Sequence, residues 1–212
     1  MSDGVAELIK AGQPSSRDPF AFDVRVKYTL TGKAHGQTLM VTARLGQSPY
    51  QQFPIDMTLG LTLIGPVEVA HQRLPVQIDD VADPPPMRPY PLADQAADKV
   101  AAMYETHREG QPSSRYRDLV DLVIITSNYT LDQDILATAL RTQATIRGLT
   151  LPNALISPSP NWEGGYAREA ANAKFETHHR KLAWALEHVG SRIDSALKQA
   201  APTTQPDDLD AK

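Results

Sequence analysis

Three charged side chains stand where the surrounding sequence gives no ordinary reason for a charge: Lys99, Asp118 and Asp56. On a helix through LADQAADKVAAMYETH, with Leu92 set to zero, Ala96 falls at about 40°, Met103 at about 20° and Lys99 at about −20°. The ammonium therefore leaves the middle of an apolar stripe, a costly position unless it meets an anion. A stem that snorkels to the surface, a pairing with Asp118, or contact with an anionic ligand would each answer that cost. Asp118 shares its side of RYRDLVDLVIIT with Leu122 and Ile125, while Arg115 one turn earlier offers it a simple partner. Asp121 reads as a solvated helix position. Asp56 alternates with Ile55 and Met57, so it faces away from them beside Thr58, either as an ordinary outward strand carboxylate or as a ligand.

Other chemistry is removed by what the sequence lacks. It contains no G-x-x-x-x-G-K-[ST], G-x-G-x-x-G, H-E-x-x-H or G-x-S-x-G, which excludes the common phosphate-loop, dinucleotide, zincin and hydrolase signatures. With no Cys among 212 residues there is no disulfide framework, thiolate nucleophile or Cys-based metal site, and a reducing cytoplasm suits the chain. The six His include no helical i, i+4 pair, and His178 and His179 would diverge by about 100° on a helix, so no His metal site is expected. No apolar run approaches the roughly 20 residues of a membrane span, and MSDGVAELIKAG is too polar for a signal peptide.

The elements that must position these residues divide at one change of period. Phe22, Val24, Val26, Tyr28 and Leu30 alternate with polar residues; so do Leu39, Val41, Ala43 and Leu45, and then Phe53, Ile55, Met57 and Leu59. This pattern predicts a small, mainly antiparallel sheet with TGKAHGQ as a hairpin loop, and a weaker strand is expected over 66–69. Pro84, Pro85, Pro86, Pro89 and Pro91 then crowd VADPPPMRPYPLAD, which reads as an extended connector or as a ligand for a proline-reading module. Beyond it the period is helical. Helices are predicted through LADQAADKVAAMYETH, through RYRDLVDLVIIT with PSS as its N-cap, over 131–146, and along the stripe Phe175, Leu182, Leu186, Val189, Ile193 and Leu197, with Gly190 as a possible kink. The organisation is α+β: a sheet region over 1–83, a connector over 84–91, a helical region over 92–200 and a disordered tail over 201–212.

Charge adds one constraint. The chain carries 21 Lys+Arg against 25 Asp+Glu, a net −4 that argues against a general nucleic-acid coat. Basic stretches at Arg17–Arg44 and Arg141–Lys181 nevertheless flank an acidic middle, which permits an anionic partner such as RNA.

In combination, YPLADQAADKVAAMYETH and SSRYRDLVDLVII resemble the central motifs of the AbiEii/AbiGii toxin family of nucleotidyltransferases, the toxin half of bacterial type IV toxin–antitoxin and phage-defence systems. FPIDMTLG resembles the family's Asp-bearing strand, and NWEGGYAREA its downstream Trp-to-Tyr segment. The resemblance runs from about Phe20 to Ala170. It implies a nucleotidyltransferase-like sheet, and nucleotide transfer from an NTP to an RNA acceptor, tRNA above all, with Mg²⁺. Lys99 matches the lysine that contacts triphosphate, Asp118 the acidic residue of the active site, and Asp56 the strand carboxylate, a metal ligand. Such transfer is catalysed by positioning and charge neutralisation, which a lysine and metal-holding carboxylates supply. A cognate antitoxin, no membrane and a cytoplasmic site of action are further implications.

The chain departs from the family at its start. The family opens with a Gly-Ser helix motif and a strand S-x-D-x-D whose carboxylates hold the metal; aligned as a strand, Ser2–Ala6 would put Gly4 and Ala6 where those Asp belong. A missing upstream segment and a degenerate, non-catalytic relative that acts as a binding or interaction module are the two readings. On either, the 212-residue chain is expected to be a poor catalyst.

Overall fold

The computed structural model of the chain describes residues 3–13, 19–30, 35–76, 79, 83–106 and 110–201. It is α+β, with an N-terminal antiparallel sheet and a helical C-terminal half, and it divides into two compact units, Met1–Thr62 and Leu63–Lys212.

The first unit opens with a helix, α1 (Asp3–Ala11), so the expected strand alignment of this segment is wrong. Val5, Leu8, Ile9 and Gly12 follow the 3–4 spacing of one helix face, and Ala6, Glu7, Leu8 and Lys10 are good helix formers; no strand alternation competes. Val5 is wholly buried. At the helix end Phe22 donates its N–H to the Gly12 carbonyl at 2.9 Å, and a Cβ on Gly12 would lie 2.6 Å from the Phe22 oxygen, so the chain crosses there only as glycine.

The three expected strands form β1 (Phe20–Leu30), β2 (His35–Leu45) and β3 (Ser48–Leu59), paired antiparallel in the order β1-β2-β3. His35, Gly36 and Gln37 belong to β2 and not to the hairpin loop; the rest of that loop, residues 31–34, lies outside the described residues. Central strand β2 follows the alternation, burying Leu39, Val41 and Ala43. On the outer strands Val26, Tyr28, Phe53 and Leu59 remain exposed, because period 2 assigns side chains to a face but not a cover to that face.

The second unit begins with extended chain. The strand expected at 66–69 is absent; a single antiparallel bridge joins Ala70 to Met87, with both backbone bonds made at 2.8 and 2.9 Å. Pro66 has no N–H, and Met87 lies among the prolines of the connector, so the ladder cannot extend. The helices are α2 (Leu92–Tyr104), α3 (Tyr116–Asn128), α4 (Gln133–Arg147), α5 (Trp162–Asn172) and α6 (Leu182–Ala200), with a 3₁₀ turn at Thr177–Arg180. Their shared core includes Ala96, Val100, Met103, Leu119, Leu122, Leu136, Leu140, Trp162, Tyr166 and Ile193.

Local chemistry sets the ends. Asp132 caps α4, its carboxylate accepting from the N–H groups of Asp134 and Ile135 at 3.0 Å, and Gly148 closes the helix at φ 62°. The PSS segment does not cap α3 directly: Arg115 is the N-cap, and the buried Ser113 hydroxyl accepts from the Arg115 N–H at 3.2 Å. Phe175 lies outside α6, and α5 was not foreseen as a helix. The tail over 202–212 lies outside the described residues.

Candidate functional site

Helices α2 and α3 pack together and bring Lys99 to the start of α3. The Lys99 Nζ lies 2.6 Å from Asp121 Oδ2 and 3.4 Å from Asp118 Oδ1. Arg115 Nε is 3.4 Å from the other oxygen of Asp118. The expectation that Asp121 is a solvated position fails: three residues after Asp118, it stands on the same side of α3 and is the nearer partner of Lys99. Side-chain exposures of 17% for Lys99, 14% for Asp118 and 33% for Asp121 place the cluster at the edge of the core, open to solvent on the Asp121 side.

The charges are unevenly screened. Burial pushes the Asp118 carboxyl above its ordinary value of 3.8, the Lys99 and Arg115 charges pull it back, and Asp121 adds a smaller upward push. Lys99, Asp121, Tyr90, Gln95, Asp98, Ile124 and Ile125 line a cleft of about 430 Å³. Tyr90 and Gln95 also line the adjoining apolar groove of about 450 Å³, which continues past Pro91 and Tyr129 to Leu131 and Ile135. A cation held by two carboxylates thus borders a space large enough for a small ligand, with an aromatic ring at the junction. Arg147, in the last turn of α4, binds Asp98 in the middle of α2 at 2.5 Å and Glu105, the C-cap of α2, at 2.6 Å, tying the two helices together.

Two further contacts fix the helices that carry the cluster. Asp94, only 2% exposed in the first turn of α2, accepts the Ile64 and Gly65 N–H groups at 2.8 and 2.7 Å, so its buried charge is satisfied by backbone. Its place near a helix N-terminus is also electrostatically favourable. Gly65 is required by proximity, since a Cβ there would lie 2.8 Å from Pro91 Cβ and 2.9 Å from Asp94 Oδ2. The second contact is made by Trp162, wholly buried, which donates its indole N–H to the Ser113 carbonyl at 2.9 Å and packs edge-on against Tyr116 at 5.1 Å. Segment NWEGGYAREA therefore supports the residues that lead into Asp118.

Asp56 belongs to the sheet unit. It sits exposed on β3 opposite Thr38 of β2 and accepts the Thr38 hydroxyl at 2.7 Å. Sequence reasoning missed Asp94 and Asp121. An Asp in the first turn of an Ala-rich helix was a weak signal for the former, and the i, i+3 spacing of two Asp on α3 for the latter.

An α+β chain with a lysine and paired aspartates on adjacent helices fits a nucleotide-handling protein. The model of the nucleotidyl transferase AbiEii toxin family, of type IV toxin–antitoxin systems, matches residues 3–190. The chain belongs to that family. No curated protein matches it.

Proposed function

We propose that the protein is a toxin-type nucleotidyltransferase that transfers a nucleotide from an NTP to an RNA acceptor, most simply tRNA, in the bacterial cytoplasm. A cognate antitoxin opposes it within a system directed against phage. The observation that carries this reading is the ammonium of Lys99, held between Asp118 and Asp121 at the mouth of the Tyr90–Gln95 cleft. Family membership supports nucleotide transfer in general terms; the acceptor, the metal and the defence role are our reading.

The parts suit phosphoryl chemistry. Lys99 is a mobile point charge that a triphosphate, with more negative charge than two carboxylates, can draw away from its resting partners. Asp118 and Asp121 present hard oxygen donors of the type Mg²⁺ prefers, and they are the residues that would hold it beside the phosphates. The metal would neutralise the charge that develops on the transferred group. Tyr90 and Gln95 border space in which a nucleoside can lie, and the tyrosine ring offers a stacking surface.

The resemblance also gives Asp56 a metal-binding role, and its own variant tests that. Because Asp56 is exposed and bonded only to Thr38 among the described contacts, Asp56→Asn should change stability by less than about 0.5 kcal/mol. A loss of nucleotide transfer in that variant supports the role, and full transfer removes it. For the whole reading, labelled NTP is offered with total tRNA and Mg²⁺, and NTP binding is measured in parallel by calorimetry. Transfer that vanishes in Lys99→Met supports the enzyme. Saturable NTP binding without transfer favours the non-catalytic relative, and absence of both defeats the assignment.

A further inference from the structure

Between α5 and α6 the chain makes a 3₁₀ turn, Thr177–Arg180, where an α-helix was expected. The difference changes what its histidines can do. With about three residues per turn, positions i and i+3 eclipse, so Glu176 and His179 share one side of the turn and His178 stands beside them. The His179 N–H closes on the Glu176 carbonyl at 3.0 Å. One carboxylate oxygen of Glu176 and one ring nitrogen from each of His178 and His179 lie within 4.8 Å of one another.

We propose that Glu176, His178 and His179 form a binding site for a divalent transition metal of the Zn²⁺ class. Two imidazoles and one carboxylate are a donor set that suits zinc with a water in the fourth position, and imidazole disfavours Mg²⁺ or Ca²⁺ as occupant. The 3.5 Å between His178 Nδ1 and Glu176 Oε2 is close to the ~3.4 Å edge of a tetrahedron with zinc–ligand bonds of about 2.1 Å. The three donor atoms lie within 4.8 Å of one another, and the 76% and 60% exposure of Glu176 and His178 leaves both free to adjust and open to an entering ion.

The turn is held from behind. The Tyr166 hydroxyl donates to the His179 carbonyl at 2.9 Å, and Arg180 Nε donates to the Phe175 carbonyl at 2.7 Å. The His179 ring lies between the Trp184 indole at 4.0 Å and the edge-on Phe175 ring at 6.4 Å, and the two imidazoles stand 3.7 Å apart. This packing orients the His179 ring before any ion arrives, which lowers its ordering cost, while the exposed His178 ring swings outward, because two imidazoles on one tetrahedral zinc have centroids ~5 Å apart. His188, stacked on Trp184 at 4.7 Å and bonded to Ser127 Oγ at 2.9 Å, is not among the three ligands.

The test uses the untagged 212-residue chain stripped with chelator. ZnCl₂ alone is titrated by calorimetry, and CoCl₂ is followed by the visible absorption of tetrahedral cobalt. Binding of one equivalent is expected, with affinity reduced at least tenfold in His178→Ala and in Glu176→Gln, a loss no smaller than that of an outer-shell partner. His188→Ala should bind as the parent does. The exposed positions of Glu176 and His178 make unaltered metal-free melting the control for folding. No saturable uptake by the parent, or uptake that survives His178→Ala, would overturn the proposal.

Discussion

Lys99 Nζ lies 0.8 Å nearer to Asp121 than to Asp118, 2.6 Å against 3.4 Å, although Asp118 is the more buried carboxylate. The cation therefore spends its short, charge-assisted hydrogen bond at the solvent edge, and the buried carboxylate shares longer contacts with Lys99 and Arg115. This arrangement leaves the ammonium available to a ligand that enters from the cleft.

Replacing Lys99 with Met keeps the apolar stem of α2 packed and removes the charge. NTP affinity should fall roughly 10–100-fold, the equivalent of a charged hydrogen bond of about 1.5–3 kcal/mol. Melting should report a loss of about 1–3 kcal/mol from leaving Asp118 short of a partner. Unchanged affinity in calorimetry would remove Lys99 from the nucleotide site.

Acid should act on Asp118 in an uncommon direction. Its folded pKa is raised above 3.8, chiefly by burial, so in the window just above 3.8 the folded state binds more protons than the unfolded chain. Its own contribution to stability therefore improves as pH falls through that window and is least favourable above the folded pKa. Carboxyl-carbon NMR, assigned with Asp118→Asn, should show a midpoint above 3.8 that rises further in Lys99→Met. A midpoint at or below 3.8 contradicts the assignment of burial as the dominant cause.

The buried clamp of Asp94 predicts a large, purely structural effect. Asp94→Ala orphans the Ile64 and Gly65 N–H groups and should cost about 3 kcal/mol or more in denaturant unfolding. Asp94→Asn retains one acceptor oxygen and should cost less. Equal losses in the two variants would mean that the hydrogen bonds are not what the carboxylate provides.

Gly165 tests the support behind Asp118. A Cβ there would lie 2.5 Å from the Tyr116 ring, so Gly165→Ala must displace the ring at the start of α3 and should cost about 1–3 kcal/mol. The Asp118 resonance should shift with it. A variant with parental stability would show that Tyr116 relocates freely.

Much of this architecture was legible because it is local. The alternation of Leu39, Val41 and Ala43, the stripe of α2 and the helix expected over 131–146 each follow from a few neighbouring residues. Lys99 was legible for the same reason, as a charge inside its own helix's apolar stripe. Asp121 was not, because a wheel drawn for α3 alone cannot say which flank meets α2. Helix α5 was obscured by Gly164 and Gly165, which weaken helix propensity; Gly165 is explained only by the ring of Tyr116 lying against it. Helix α1 was hidden by alignment to a strand motif, although Val5, Leu8 and Ile9 carry a helical period.

The bond from Trp162 to Ser113 has a consequence for timing, since it joins residues 49 positions apart. Ribosomes extend a chain at about 5–20 residues per second, so the start of α3 waits roughly 2–10 s for the residue that seats it. During that interval α2 and α3 can pair, but the approach to Asp118 lacks its indole anchor. Nascent or prematurely terminated chains that stop before Trp162 are therefore expected to hold an unfinished site, and purified fragments of that length should show no saturable NTP binding. Completion of the Lys99–Asp118 cluster is thus set by a residue made well after the two helices that carry it.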